Sequence, residues 1–146
     1  MRISLPDATG VLTDYRLMGQ PVAPVRLTAK SARVIYSAAH VVHDPFSGSD
    51  PSGAAAINWD ATLAFRGHLT GLGLGIAEAM DTAQRGMGLN WAEAIELIRQ
   101  TKIAYPDALV ANGCGTDHLL QTETYTLDDI RRAYLEQIAA IQGVSC

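Results

Sequence analysis

Three short apolar runs, near residues 35, 77 and 110, are each followed by a breaker-rich loop and then by a helix with one apolar stripe. This β–α–β–α order constrains the fold more than any other feature. Consecutive units of this kind form parallel strands joined by right-handed helical crossovers. The first strand is expected over Arg33–Val42, with Val34-Ile35-Tyr36 at its start and His40 near its end; the second spans Ile76–Met80 and the third Ala108–Asn112.

The helices between them carry their own punctuation. Asn58 has the character of an N-cap, opening a helix over Trp59–Leu72 with Ala61, Phe65, His68 and Leu72 on one stripe. The run Gly71-Leu72-Gly73-Leu74-Gly75 can supply the left-handed residue that ends it. Asn90 and Glu93 have capping-box spacing before a helix over Trp91–Lys102, with Trp91, Ile95 and Ile98 on one face. Thr126 caps a third helix, whose Leu127, Ile130, Tyr134, Ile138 and Ile141 are expected to face inward and which Gly143 should end.

The spacing between strands, about 32–42 residues, matches the (β/α)8 TIM barrel, whose full set of units takes roughly 250 residues. A chain of 146 residues holds about three of the eight units. The expected fold is therefore α/β: the N-terminal β/α units of a TIM barrel, incomplete, preceded by a short β appendage. The appendage covers residues 1–32, where Ile3-Ser4-Leu5 and Val11–Tyr15 flank the turn cluster Asp7-Ala8-Thr9-Gly10. The partial barrel covers residues 33–146. An open three- or four-stranded sheet is the alternative, and it leaves a parallel edge exposed.

Composition removes several classes of function. The net charge is −4 and the only lysines are Lys30 and Lys102, so there is no basic stripe for nucleic acid. No apolar run is long enough to span a membrane, and Met1–Pro6 does not open a secretory signal. Cys114 and Cys146 make neither a disulfide framework nor a CxxC zinc site. A cytoplasmic, acidic chain acting on a small molecule is the expectation, with a homo-oligomer, no nucleic acid and no membrane as partners.

Ligands of barrels and open α/β sheets bind at the carboxyl ends of the strands. His40, His43 and Asp44 follow the first strand; Asp81, Thr82, Gln84 and Arg85 the second; Asn112, Cys114, Thr116, Asp117 and His118 the third. Arg85, between a strand end and a helix start, suits a planar carboxylate or a phosphate. The plain alternative is a surface arginine paired with Asp81 or Glu78. Glu78 lies inside a strand, where it is either paired, for instance with Arg85, or turned to the barrel interior as a ligand or acid–base group. His40, Glu78, Asp117 and His118 could serve a metal-dependent aldolase or isomerase, although no metal-site motif such as HxxEH is present. Cys114 sits between two glycines, where backbone amides could make it reactive; with no base assigned beside it, it reads as a buried inert thiol.

Three segments carry a family resemblance: Ala56–Leu63, Gly73–Leu89 and Ala111–Asp117. Over residues 33–143 the chain resembles the N-terminal part of the dihydrodipicolinate synthase and N-acetylneuraminate lyase superfamily of class I aldolases. Within it the likeness is to a dihydrodipicolinate-synthase-like bacterial branch. The family's Gly-Thr-Thr-Gly-Glu after the second strand falls on Asp81, Thr82, Ala83, Gln84 and Arg85. The resemblance thus makes Thr82 the catalytic threonine, whose hydroxyl relays protons. Ala83 stands in place of the threonine that binds a substrate carboxylate, and Arg85 in place of the glutamate.

The family's Schiff-base lysine lies on the sixth strand and its catalytic tyrosine on the fifth, beyond the units present. Lys30 and Lys102 match neither, so the chain alone is expected to be inactive. The implied function is part of a lyase of the carbon–carbon aldolase type, acting on a small oxo-acid or sugar-derived substrate. No cofactor and no metal is implied. Thr82 is the catalytic candidate, and Asp81, Gln84, Arg85, Asn112, Thr116 and Asp117 are the substrate-binding candidates. A metal-dependent barrel and a non-catalytic fragment needing a partner chain are the competing readings.

Overall fold

The computed structural model describes residues 2–20, 22–23, 33–48, 55–120 and 123–145, and of Asp81 the backbone alone. Lys30, the breakers at 49–53 and Cys146 lie outside the described residues. Two β-strands open the chain, β1 (Arg2–Pro6) and β2 (Leu12–Arg16), paired antiparallel with Ile3 opposite Tyr15 and Leu5 opposite Thr13. The Asp7 carboxylate accepts from the backbone N–H groups of Thr9 and Val11 and so closes the turn between them.

The body is a parallel three-stranded sheet in sequential order: β3 (Tyr36–Ala38), β4 (Gly75–Glu78) and β5 (Val110–Asn112). Helices α1 (Trp59–Gly71) and α2 (Trp91–Ala104) make the crossovers, and α3 (Leu127–Ser145) follows β5. The chain is α/β, and the described strands form an open sheet rather than a closed barrel.

Local chemistry sets the helix ends as the sequence implies. The Asn58 side chain accepts from the Ala61 N–H at 3.0 Å, and Asn90 and Glu93 cap each other reciprocally. Helix α1 ends in a Schellman turn: Gly73, at φ +82°, donates to the Thr70 carbonyl and Leu74 to that of Leu69. Thr126 and Asp129 cap α3, but Gly143 does not end it, and helical pairing continues to Ser145.

The first strand is shorter than expected. Among the described residues it is an edge strand with one neighbour, and beyond Ala39 the chain is drawn to the start of α1, where Val42 N–H donates to Thr62 Oγ1 at 2.9 Å. The buried stripes of α1 and α3 are also displaced. Helix α1 buries Thr62, Arg66 and Leu69, while His68 is exposed. Helix α3 buries Ala133 and Gln137 and packs Ile141 and Val144 on the core; Leu127, Ile130, Tyr134 and Ile138 remain open, Leu127 at 85%.

The displacement in α1 and the early departure of the first strand share a cause in the polar interior. Arg66 donates through Nε and Nη2 to the two Glu78 carboxylate oxygens, each at 2.6 Å, and both side chains are 0% exposed. Its Nη1 donates to the carbonyls of His40 and Thr62, each at 3.0 Å. Glu78 accepts further from Thr101 Oγ1 at 2.7 Å and from the Ala79 N–H at 3.0 Å. The pair ties α1, β4, α2 and the end of the first strand together. Glu78 therefore faces the helices and pairs with Arg66; it neither faces a barrel interior nor pairs with Arg85.

Side-chain alternation follows. Ile76 and Glu78 point to the helix layer and are fully buried; Gly75 and Ala77 point the other way, alongside Tyr36, Ala38 and Ala111. Helices α1 and α2 both reach Glu78, so both cover one face of the sheet.

Candidate functional site

The loop after β4 and the loop after β5 meet at the carboxyl ends of the strands, and Arg85 joins them. Its Nε and Nη2 donate to Asp117 Oδ2 at 3.0 Å and Oδ1 at 2.7 Å. Its Nη1 donates to the carbonyls of Ala79 and Gly113, the residues just past β4 and β5. A second Nη2 bond goes to Gln137 Oε1 of α3. The guanidinium carbon also lies 4.9 Å from the Trp91 ring centroid at the start of α2. All five N–H donors thus meet protein acceptors, and the Arg85 side chain is 7% exposed.

Two backbone features let the strand ends approach. Ala79 is fully buried at φ +50°, a left-handed conformation that costs a non-glycine residue about 1–3 kcal/mol. Glu78 holds its N–H and Arg85 its carbonyl. Gly113 packs so tightly on it that an added Cβ would stand 2.9 Å from the Ala79 oxygen.

Gln137 is the hub of the arrangement. Its Oε1 accepts from Arg85 and from the Gly115 N–H, so the amide nitrogen must be the end facing Asp117 Oδ1 at 3.0 Å and His118 Nδ1 at 2.8 Å. His118 Nδ1 therefore accepts, which places the ring proton on Nε2, facing the Glu136 carboxylate at 3.4 Å. Burial pushes the Asp117 carboxyl up, but hydrogen bonds from Arg85 and Gln137 and the guanidinium charge outweigh it and hold it below the ordinary carboxylate value.

The sign of the resulting pH dependence is fixed. A depressed folded-state pKa adds stability at pH above the unfolded value, and that stability is lost as pH falls through the folded one. Acid unfolding should therefore be steeper in the native chain than in Asp117→Asn, as followed by tryptophan fluorescence; parallel curves would contradict this.

The candidates named from sequence divide into two groups. Arg85 and Asp117 are joined directly, and Thr116 is half-buried on the same loop. Thr82 is exposed on the 3-10 turn Asp81–Ala83, and Gln84 is exposed at φ +58°. The Asp81 backbone starts that turn. Asn112 belongs elsewhere: it pairs with Glu78 in register, faces the helices, and donates to Ser145 Oγ at 3.2 Å.

The metal reading loses its central ligand, because every acceptor position of Glu78 is used within the core. No group of three or more His, Cys, Asp or Glu among the described residues is placed to hold an ion. Cys114 is exposed, contrary to the buried thiol expected. Sequence reasoning missed Gln137 and Arg66. Their available signal was spacing: Ala133, Gln137, Ile141 and Val144 form one helical stripe, as do Thr62, Arg66 and Leu69.

A model of a family described as a protein of unknown function, DUF993, matches residues 3–146. The chain belongs to this family. No curated protein matches it. In this DUF993 chain no described helix is long and apolar enough to cross a membrane.

Proposed function

We propose that these β–α units form one wall of a (β/α)8 barrel of the class I aldolase type, contributing the substrate-binding rim of a carbon–carbon lyase. The observation that carries the reading is the sheet itself: strands β3, β4 and β5 run parallel in sequential order, with α1 and α2 on one face. A doubly wound sheet reverses its strand order and covers both faces, whereas a barrel wall does neither. The resemblance to the dihydrodipicolinate synthase superfamily supplies the chemistry: a small oxo-acid or sugar-derived substrate, with Thr82 on the proton relay.

Arg85 and Asp117 hold the rim, and the exposed Thr82 and Gln84 are the groups free to meet a ligand. The Schiff-base lysine must come from outside this rim, since Lys102 sits at the far end of α2 with Nζ 3.3 Å from the Pro106 carbonyl. Among the described residues, the bare stripe of α3, with Leu127, Leu135 and Tyr134 exposed, supports the homo-oligomeric reading.

A titration of the chain with pyruvate, followed by amide NMR shifts, tests the location. Shifts are expected at Thr82, Gln84 and Thr116. Shifts confined to the cleft of about 630 Å³ at the opposite end of the sheet, beside Tyr105 and Asp107, would refute it. Borohydride added with pyruvate should leave the mass unchanged, and an adduct on Lys30 or Lys102 would overturn the assignment of the nucleophile.

A further inference from the structure

We propose that this rim binds the uncharged, hydroxyl-bearing part of the substrate and leaves its carboxylate to the rest of the barrel. The inference rests on the functional reading above and narrows it, naming what the two loops recognise. It starts from charge. Over residues 79–90 and 113–126, the two loops between strand ends and helix starts, Arg85 is the only lysine or arginine, against Asp81, Asp117 and Glu123. One positive group stands against three negative ones, a formal charge of −2 with histidine neutral.

A carboxylate or phosphate leaving water needs spare donors and a positive field to offset its desolvation. Arg85 has no spare donor. Its Nε and Nη2 meet the two Asp117 oxygens, its Nη1 the Ala79 and Gly113 carbonyls, and its remaining Nη2 hydrogen Gln137. Its charge is neutralised at the same place by Asp117. The Gly115 N–H donates to Gln137 Oε1 at 2.7 Å, and His118 is held between Gln137 at Nδ1 and Glu136 at Nε2. An anion arriving on the rim meets a sated guanidinium and loops of its own sign.

The groups that remain are neutral and work in both directions. Thr82 and Gln84 are exposed and Thr116 is half-buried, and among the described residues none of these three side chains has a hydrogen-bond partner. A threonine hydroxyl both donates and accepts, and a glutamine amide does the same from two adjacent atoms. Ligand hydroxyls share this double character, whereas a carboxylate only accepts. The amide is also presented by a closed loop. Gln84 stands at φ +58°, and its carbonyl accepts from the N–H groups of Met87 at 2.9 Å and Leu89 at 3.2 Å. Ala83 between Thr82 and Gln84 is fully buried and brings no polar atom. Of the two substrate classes named above, the sugar-derived one supplies a matching part, a short run of hydroxyls without charge.

Erythritol, an uncharged polyol, and pyruvate separate the two kinds of recognition in amide NMR titrations of the whole chain, read at Thr82, Gln84 and Thr116. Erythritol should move these residues at about fivefold lower concentration than pyruvate, the effect of one like charge at close range in water. Added sodium chloride should leave the erythritol midpoint unchanged, since no charge is there to screen. Thr82→Val, at an exposed position, should weaken the erythritol shifts at Gln84 severalfold without changing the melting temperature. Pyruvate acting at the lower concentration, with a midpoint that rises with salt, would overturn the inference and keep the rim as the substrate face. Silence of all three residues with both probes would overturn it together with the functional reading.

Discussion

Replacing Glu78 by alanine is expected to destabilise the fold by about 3–5 kcal/mol, because it strands the Arg66 guanidinium in a site with no exposure. Domains of this size are held by about 5–15 kcal/mol in total, so the variant should sit near its unfolding midpoint in mild denaturant. The loss does not mean that the ion pair itself contributes that much. Bringing both charges out of water has a large desolvation penalty, and the fork geometry with its added bonds from Thr101 and Ala79 offsets it. The double substitution Arg66→Met with Glu78→Leu should therefore recover most of the stability. Urea unfolding of the native chain and the two variants checks this, and a double variant no better than Glu78→Ala would show that the polar bridge is required rather than merely balanced.

That buried pair also explains where reading the sequence succeeds and where it stops. Caps and breakers act locally, so Asn58, Asn90 with Glu93, and Thr126 mark the helix starts correctly, and the alternation of units yields the parallel sheet. Which face of a helix turns inward is a tertiary decision. In α1 the apolar rule favours Ala61, Phe65 and Leu72, yet the buried positions include Thr62 and Arg66, because Arg66 has Glu78 to meet twelve residues later. In α3 the most apolar stripe, Leu127 to Ile138, stays open while the interior takes Gln137.

The rim shows the same division. That the loops after β4 and β5 adjoin follows from parallel succession and was legible. That Arg85 donates to both strand ends, to Asp117 and to a residue 52 positions away was not, because hydrogen-bond partners of long sequence separation leave no periodic trace. Asn112 failed as a rim residue through parity alone. It shares the register of Glu78, and Glu78 belongs to the helix side.

Arg85→Met should destabilise the chain by about 2–3 kcal/mol, less than Glu78→Ala because the Asp117 side chain is 19% exposed and partly screened by water. Arg85→Lys should lose about half as much, since an ammonium can face Asp117 but cannot also reach Ala79, Gly113 and Gln137 in one plane. Stability unchanged by either substitution would mean that these bonds add nothing net and would return Arg85 to the anion-binding role its position suggests. Gln137→Glu separates the network from the single arginine. It keeps the two bonds accepted from Arg85 and Gly115 but sets a carboxylate against Asp117 Oδ1, where an amide hydrogen had been donated. Two facing carboxylates share a proton readily, so one of them should titrate well above the ordinary range. The variant should then gain stability as pH falls from neutral, while the native chain loses it through Asp117 as acid is added. Urea midpoints that rise in the variant from about pH 7 to 5 and stay level in the native chain, whose own loss through Asp117 comes below about pH 5, are the expected result. A parallel slope would place the introduced carboxylate away from Asp117 and break the assignment of Gln137 as the residue that holds the rim together.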